Sequence, residues 1–199
     1  MITNNTDGFP NSNGYNPRWS PTNDKIVFHF DGITNVGWIP AQIAMYDFET
    51  GSTTRLTEDS YYNYSPVFSK NGEYLLYQSS KNTPGTYETN IWFMDLRTLE
   101  SFQITDVSKT SLRTVERPNW IDNDRFLFHG IYPGFREHHQ IFESSVSKKQ
   151  ITKVFESRWS DYTPSISPDQ TKIAFISNRS RTHQVWIYHI ASKTYTQLT

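Results

Sequence analysis

The stretch Thr163 to Thr199, TPSISPDQTKIAFISNRSRTHQVWIYHIASKTYTQLT, is a series of short apolar runs separated by turn signals. Pro164-Ser165-Ile166-Ser167 leads into the turn Pro168-Asp169-Gln170, and Lys172-Ile173-Ala174-Phe175 follows. After a polar loop come Gln184-Val185-Trp186-Ile187-Tyr188, a second polar turn, and Thr196-Gln197-Leu198-Thr199. Runs this short, rich in β-branched and aromatic residues and punctuated by Pro and Asp, predict a four-stranded antiparallel meander.

Earlier parts of the chain repeat this pattern. Ile/Leu-Thr pairs recur at Ile2-Thr3, Leu56-Thr57, Ile104-Thr105, Ile151-Thr152 and Leu198-Thr199, at spacings of 54, 48, 47 and 47 residues. A proline stands two residues before a large apolar side chain at Pro17/Trp19, Pro66/Phe68, Pro118/Trp120 and Pro164/Ile166. Second strands read as Lys25–Phe28, Tyr74–Tyr77, Arg125–Phe128 and Lys172–Phe175, and third strands as Gln42–Tyr46, Asn90–Met94, Gln140–Phe142 and Gln184–Tyr188. Proline lacks an N–H and pushes its predecessor toward extended backbone, so it suits the opening of a first strand. The turns that follow use Pro21-Thr22-Asn23-Asp24, Asn71-Gly72, Asp122-Asn123-Asp124 and Pro168-Asp169, residues suited to hairpins.

The third strands are apolar on consecutive residues, as in Ile91-Trp92-Phe93-Met94 and Val185-Trp186-Ile187-Tyr188. That pattern implies burial on both faces, as when sheets stack. Four-stranded sheets repeated every 40 to 50 residues and buried on both sides describe β-propeller blades. The expected fold is therefore all-β, a propeller domain over 1–199 with four blades at about 16–57, 64–105, 117–152 and 163–199. Pro-x-Trp/Ile-Ser-Pro-Asp, Lys-Ile-Ala-Phe, Ile-Trp/Tyr and Leu-Thr, in that order, resemble the TolB-like propeller repeat. Blade three departs, with Ile121-Asp122-Asn123-Asp124 in place of Ser-Pro-Asp-Gly and Glu143-Ser144 where Asp47 and Asp95 stand in blades one and two; blade four has His189 there. Three forms of closure are open: part of a larger ring, a half-ring completed by a second copy, and a four-bladed ring.

The 199 residues carry a net charge of −1, so no global basic field points to nucleic acid. Cysteine is absent, which removes disulfides and thiolate chemistry together. The opening MITNNTDGFPNSNG shows neither a charged nor an apolar leader region, and no apolar run approaches the length of a membrane span. The compartment stays open.

In a meander blade the strand 2–3 loops and the inter-blade loops emerge at one end of the ring. Those loops hold 12 aromatic residues, against Phe48 alone in the turns of the opposite end. Rigid aromatic rings and arginines anchor interfaces. The resemblance implies a non-catalytic scaffold that recognises a protein or peptide segment on this loop face, near the central opening. The expected contact residues are Trp38, Tyr132, Phe135, Arg136, Trp159 and Arg179. Lys109, Arg113, Arg117, Arg136, Lys153, Arg158, Arg179 and Arg181 also give the loop face of blades three and four a positive bias.

Metal and catalytic signals are weak. Glu137-His138-His139-Gln140 has ligand-type residues, yet neighbouring histidines on an extended segment point to opposite sides. His29 and His129 sit at equivalent strand ends and read as structural. No nucleophile elbow, His-Glu-x-x-His helix or phosphate-binding glycine loop is present, so neither cofactor nor catalytic residue is expected. A carbohydrate-active propeller enzyme and a self-assembling structural module are the alternative readings.

Overall fold

The computed structural model describes residues 12–34, 37–83, 88–134 and 138–199, with side chains for all of these except 12, 33–34 and 37–38. Among the described residues sixteen strands form four separate antiparallel sheets, each built from four consecutive strands in meander order. Blade one is β1 Ser12–Trp19, β2 Lys25–Thr34, β3 Gly37–Asp47 and β4 Ser52–Arg55. Blade two is β5 Asn63–Phe68, β6 Tyr74–Ser79, β7 Asn90–Asp95 and β8 Ser101–Gln103. Blade three is β9 Thr114–Trp120, β10 Arg125–Tyr132, β11 His138–Ser145 and β12 Thr152–Lys153. Blade four is β13 Asp161–Ile166, β14 Lys172–Ser177, β15 Gln184–His189 and β16 Thr194–Gln197.

The first turns of blades one, two and four are built the same way. Ser20, Ser69 and Ser167 each accept the amide of the residue opening the second strand, Lys25, Tyr74 and Lys172, at 3.0 Å. Blade three has Ile121 at this place, and Asp122 takes over by accepting from the Asp124 and Arg125 amides at 2.9 and 2.7 Å. Asp122 thus supplies in this turn the acceptor that serine supplies in the others.

The fourth strands revise one sequence equivalence. The Leu56, Ile104, Val154 and Leu198 amides donate to the carbonyls of Ile43, Ile91, Ile141 and Val185, at 2.8, 2.8, 3.0 and 2.8 Å. Thr57, Thr105 and Thr199 then return a hydroxyl acceptor to the Ile43, Ile91 and Val185 amides. In blade three this place is held by Val154-Phe155, not by Ile151-Thr152. Backbone register decides the match, and a locally similar dipeptide three residues earlier does not.

Sheets stack through apolar faces in chain order. Val27, Ile43 and Leu56 of blade one meet Phe68, Leu75 and Tyr77 of blade two. Leu76, Ile91 and Phe93 meet Trp120, Phe126 and Phe128, the largest of these layers. Leu127 and Ile141 meet Ile166, Ile173 and Phe175. Each such side chain, fully buried, contributes about 1.5–3 kcal/mol relative to exposure. Among the described residues no comparable packing joins blade four to blade one, so the blades form an open arc. The far face of blade four, with Ala174, Ile176, Val185 and Ile187, is half-exposed, where its counterparts Leu76 and Ile91 in blade two are fully buried.

Candidate functional site

The inner strands β1, β5, β9 and β13 stand side by side around a common axis, and each carries the recurrent proline. The residue before that proline is left-handed in every blade: φ is 49° at Asn16 and Ser65, 57° at Arg117 and 56° at Thr163. Each marks a bulge, because strand pairing skips between Tyr15 and Arg18, Tyr64 and Val67, Glu116 and Asn119, and Tyr162 and Ser165. The expectation that these residues would be extended is corrected here. A bulge inserts one extra residue on an edge strand, which tolerates proline and frees the preceding amide from the ladder.

The freed amide is satisfied from the neighbouring blade. Ser65 N–H donates to His29 Nδ1 at 3.5 Å, Arg117 N–H to Gln78 Oε1 at 3.1 Å, and Thr163 N–H to His129 Nδ1 at 3.4 Å. His29, Gln78 and His129 occupy matching positions in β2, β6 and β10; Ile176 fills that position in blade four. The two histidines are thus inter-blade fasteners. Accepting at Nδ1 puts the neutral ring's proton on Nε2, which in His129 lies 3.6 Å from Glu116 Oε2.

Above the bulges the channel mouth is belted by rings from all four blades. Tyr15 stacks on His29 at 5.4 Å, Tyr64 meets His29 edge-on at 5.4 Å, and Tyr62 stacks on Tyr64 at 5.9 Å. Across the opening, His139 lies 5.3 Å from His129 and from Tyr162, and His183 meets Tyr162 at 5.6 Å. Burial drags His29 down to about 4, helped by the Arg117 charge. Burial pushes Glu116 up, but His129, then His139 and Arg117, outweigh it and hold the carboxyl below its ordinary value. The mouth therefore carries a carboxylate beside the His129 and His139 rings. At the other end of the arc the main exposed ring pair is Trp19 on Phe48, 5.2 Å apart.

The residues expected to make contact divide. Trp159 is half-buried at the loop end, with Arg158 over its ring at 4.9 Å, and its carbonyl faces His138 Nε2 at 2.9 Å and accepts from Gln140 at 2.8 Å. Tyr132 is half-buried against Phe142 and His138, with Lys153 at 6.0 Å from its ring. Arg179 points inward: it pairs with the fully buried Asp161 at 3.0 Å and lies over Tyr195, Phe175 and Trp186. The Trp38 side chain, Phe135 and Arg136 lie outside the described residues. The positive bias of blades three and four is partly spent locally, in Lys109–Asp106 and Lys153–Glu156 pairs at 2.9 Å. Among the described residues no three His, Asp or Glu side chains are placed to share a metal ion.

No family profile matches the sequence, and no curated protein does. Solved structures do. TolB from Acinetobacter baumannii superposes with a TM-score of 0.74 over 94% of this chain, at 22% identity. The fold is that of a TolB-like β-propeller. An oligogalacturonate lyase in complex with manganese matches with a TM-score of 0.68 over 91% of the chain at 14% identity. A Mycobacterium tuberculosis puromycin-hydrolyzing peptidase matches with 0.71 over 95% at 12% identity. The chain spans 44% of that TolB chain, 50% of the lyase and 31% of the peptidase. At these identities the likeness is one of fold, shared by proteins of different activities.

The sequence reading counted Tyr15 and Arg117 among the loop-face residues without placing them on the axis, and it did not single out Glu116. The signal was present: each flanks a recurrent proline, and the first strand of a blade lines the axis.

Proposed function

We propose that the protein is a non-catalytic binding scaffold that recognises a peptide or protein segment laid across the loop-end mouth of the channel. The observation that carries this reading is the belt of tyrosine and histidine rings drawn from four blades onto one opening. Rings supply large contact area at small entropic cost, because each has two torsions to fix. Tyr15 is 44% exposed, and Trp159 and Tyr132 are half-buried, so all three offer surface to an incoming chain. Arg179 supports the site from within blade four by bracing Asp161.

The test uses fluorescein-labelled, capped hexapeptide pools of mixed sequence retained on the immobilised protein. The Tyr15→Ala, Trp159→Ala double variant is expected to lose about tenfold in retention, the scale of two aromatic anchors. Undiminished retention with an unchanged unfolding midpoint refutes the reading. Self-association belongs to the same proposal, on the strength of the half-exposed Ala174, Ile176, Val185 and Ile187 face. Sedimentation velocity should show concentration-dependent association that Ile187→Lys suppresses; a monomer at every concentration removes it.

A further inference from the structure

Below the aromatic belt the four inner strands enclose a cavity of about 250 Å3 on the arc's axis. Two levels of residues line it. Asn16, Ser65, Arg117 and Thr163 form the upper level, and Arg18, Val67, Asn119 and Ser165 the lower. Pro66, Pro118 and Pro164 complete the wall, and no lining residue is acidic. The cavity is continuous with the mouth, because Asn16, Ser65 and Arg117 also border the space beneath His29 and Tyr64.

Arg18 and Arg117, both exposed, thus border one cavity, from blades one and three. Among the described residues neither is paired with a carboxylate: Arg18 donates to the Pro17 carbonyl at 3.3 Å, and the Arg117 backbone amide is held by Gln78. Glu116, the nearest acid in sequence, lies 3.6 Å from His129 at the mouth, where the Arg117 charge also bears on it. Two like charges bordering a shared space favour an anion between them more strongly than either charge alone. A guanidinium's planar fork matches a carboxylate bidentately, and the hydroxyls of Ser65, Thr163 and Ser165 can donate to its remaining lone pairs.

We propose that the channel holds a carboxylate of the bound peptide between Arg117 and Arg18. The proposal rests on the peptide-binding reading above and names what that reading leaves open, the chemistry of the recognised segment. With the main chain lying across the ring belt, only a side chain or a chain end reaches down to the level of Arg18. A glutamate or aspartate side chain and a free C-terminal carboxylate present the same group, and the experiment separates them.

The probes are labelled hexapeptide pools, capped at both ends, with Glu or Gln fixed at the third position and all others mixed. A further mixed pool is prepared with a free C-terminus and with an amide. Trigalacturonate serves as the acidic sugar. Arg117→Asn and Arg18→Asn are the variants, since Asn16 and Asn119 already occupy the matching positions of other blades. The expected result is about tenfold tighter binding of the Glu pool than of the Gln pool, or of the free-acid pool than of the amide. That preference should weaken with rising salt and vanish in Arg117→Asn. Which pair shows it names the source of the carboxylate. Equal binding of all pools, a preference that survives both substitutions, or one indifferent to salt overturns the carboxylate site and leaves the aromatic belt reading standing. Failure of every peptide pool, with or without binding of trigalacturonate, overturns both. The salt arm uses the unmodified protein, so the proposal stays refutable should a variant fail to fold.

Discussion

Acid should loosen the joint between blades one and two, and the size of the effect follows from one imidazole. His29 is 7% exposed and its Nδ1 accepts the Ser65 amide, an arrangement only the neutral ring supports. Burial lowers it from the ordinary 6.5 to about 4. Because the folded value is depressed, the contribution to stability is fully present above 6.5 and is lost as pH falls toward 4. Linkage over that interval gives about 3 kcal/mol lost between pH 7 and pH 4, with about 2 kcal/mol of it gone by pH 5. The informative variant is His29→Gln, because Gln78 performs the same service for Arg117 in the next blade without titrating. Urea unfolding followed by tryptophan fluorescence at pH 7, 5 and 4 isolates the term, since other titrating groups are common to both proteins. The stability gap between the proteins should move by about 3 kcal/mol in favour of the variant as pH drops to 4. A gap that stays constant across this range refutes the assignment of His29 as a neutral inter-blade acceptor.

Three further expectations concern packing and charge. Arg179→Met strands the fully buried Asp161 carboxylate and should cost about 3–5 kcal/mol in urea unfolding; adding Asp161→Asn, the residue blade two carries as Asn63, should restore much of it. Gly130→Ala places a methyl 2.7 Å from Leu112 Cδ1 and 2.9 Å from Phe142, so a loss of about 1–3 kcal/mol is expected. Leu112→Ala in the same chain should relieve part of that loss, and an additive double variant would refute the clash. Trp120→Phe removes the Nε1 donor that reaches the Val67 carbonyl at 3.2 Å and opens space in the largest inter-blade layer. A lower thermal midpoint should follow, by an amount corresponding to about 1–3 kcal/mol.

Much of the architecture was legible because its determinants are local. Apolar runs of strand length, Ser-Pro-Asp and Asn-Gly turns and double-sided third strands each act within a few residues, and their repetition names the sheets and their order. The loop-end concentration of aromatic residues was legible for the same reason. Blade three shows the limit: Ile151-Thr152 imitates the recurrent pair, yet the ladder is closed by Val154. Arg179 shows another, since nothing near it in sequence announces that Asp161, eighteen residues earlier, waits inside the same blade.

The sequence by itself determined that this chain folds as repeated four-stranded sheets hidden against one another, since hydrophobic period and turn chemistry are written in neighbouring residues. Only the tertiary structure decided which side chains face the axis. A bulge before each proline shifts the strand by one residue, and that shift turns Asn16, Ser65, Arg117 and Thr163 inward. The acceptors that make it tolerable, His29, Gln78 and His129, come from the preceding blade, 34 to 39 residues away in sequence.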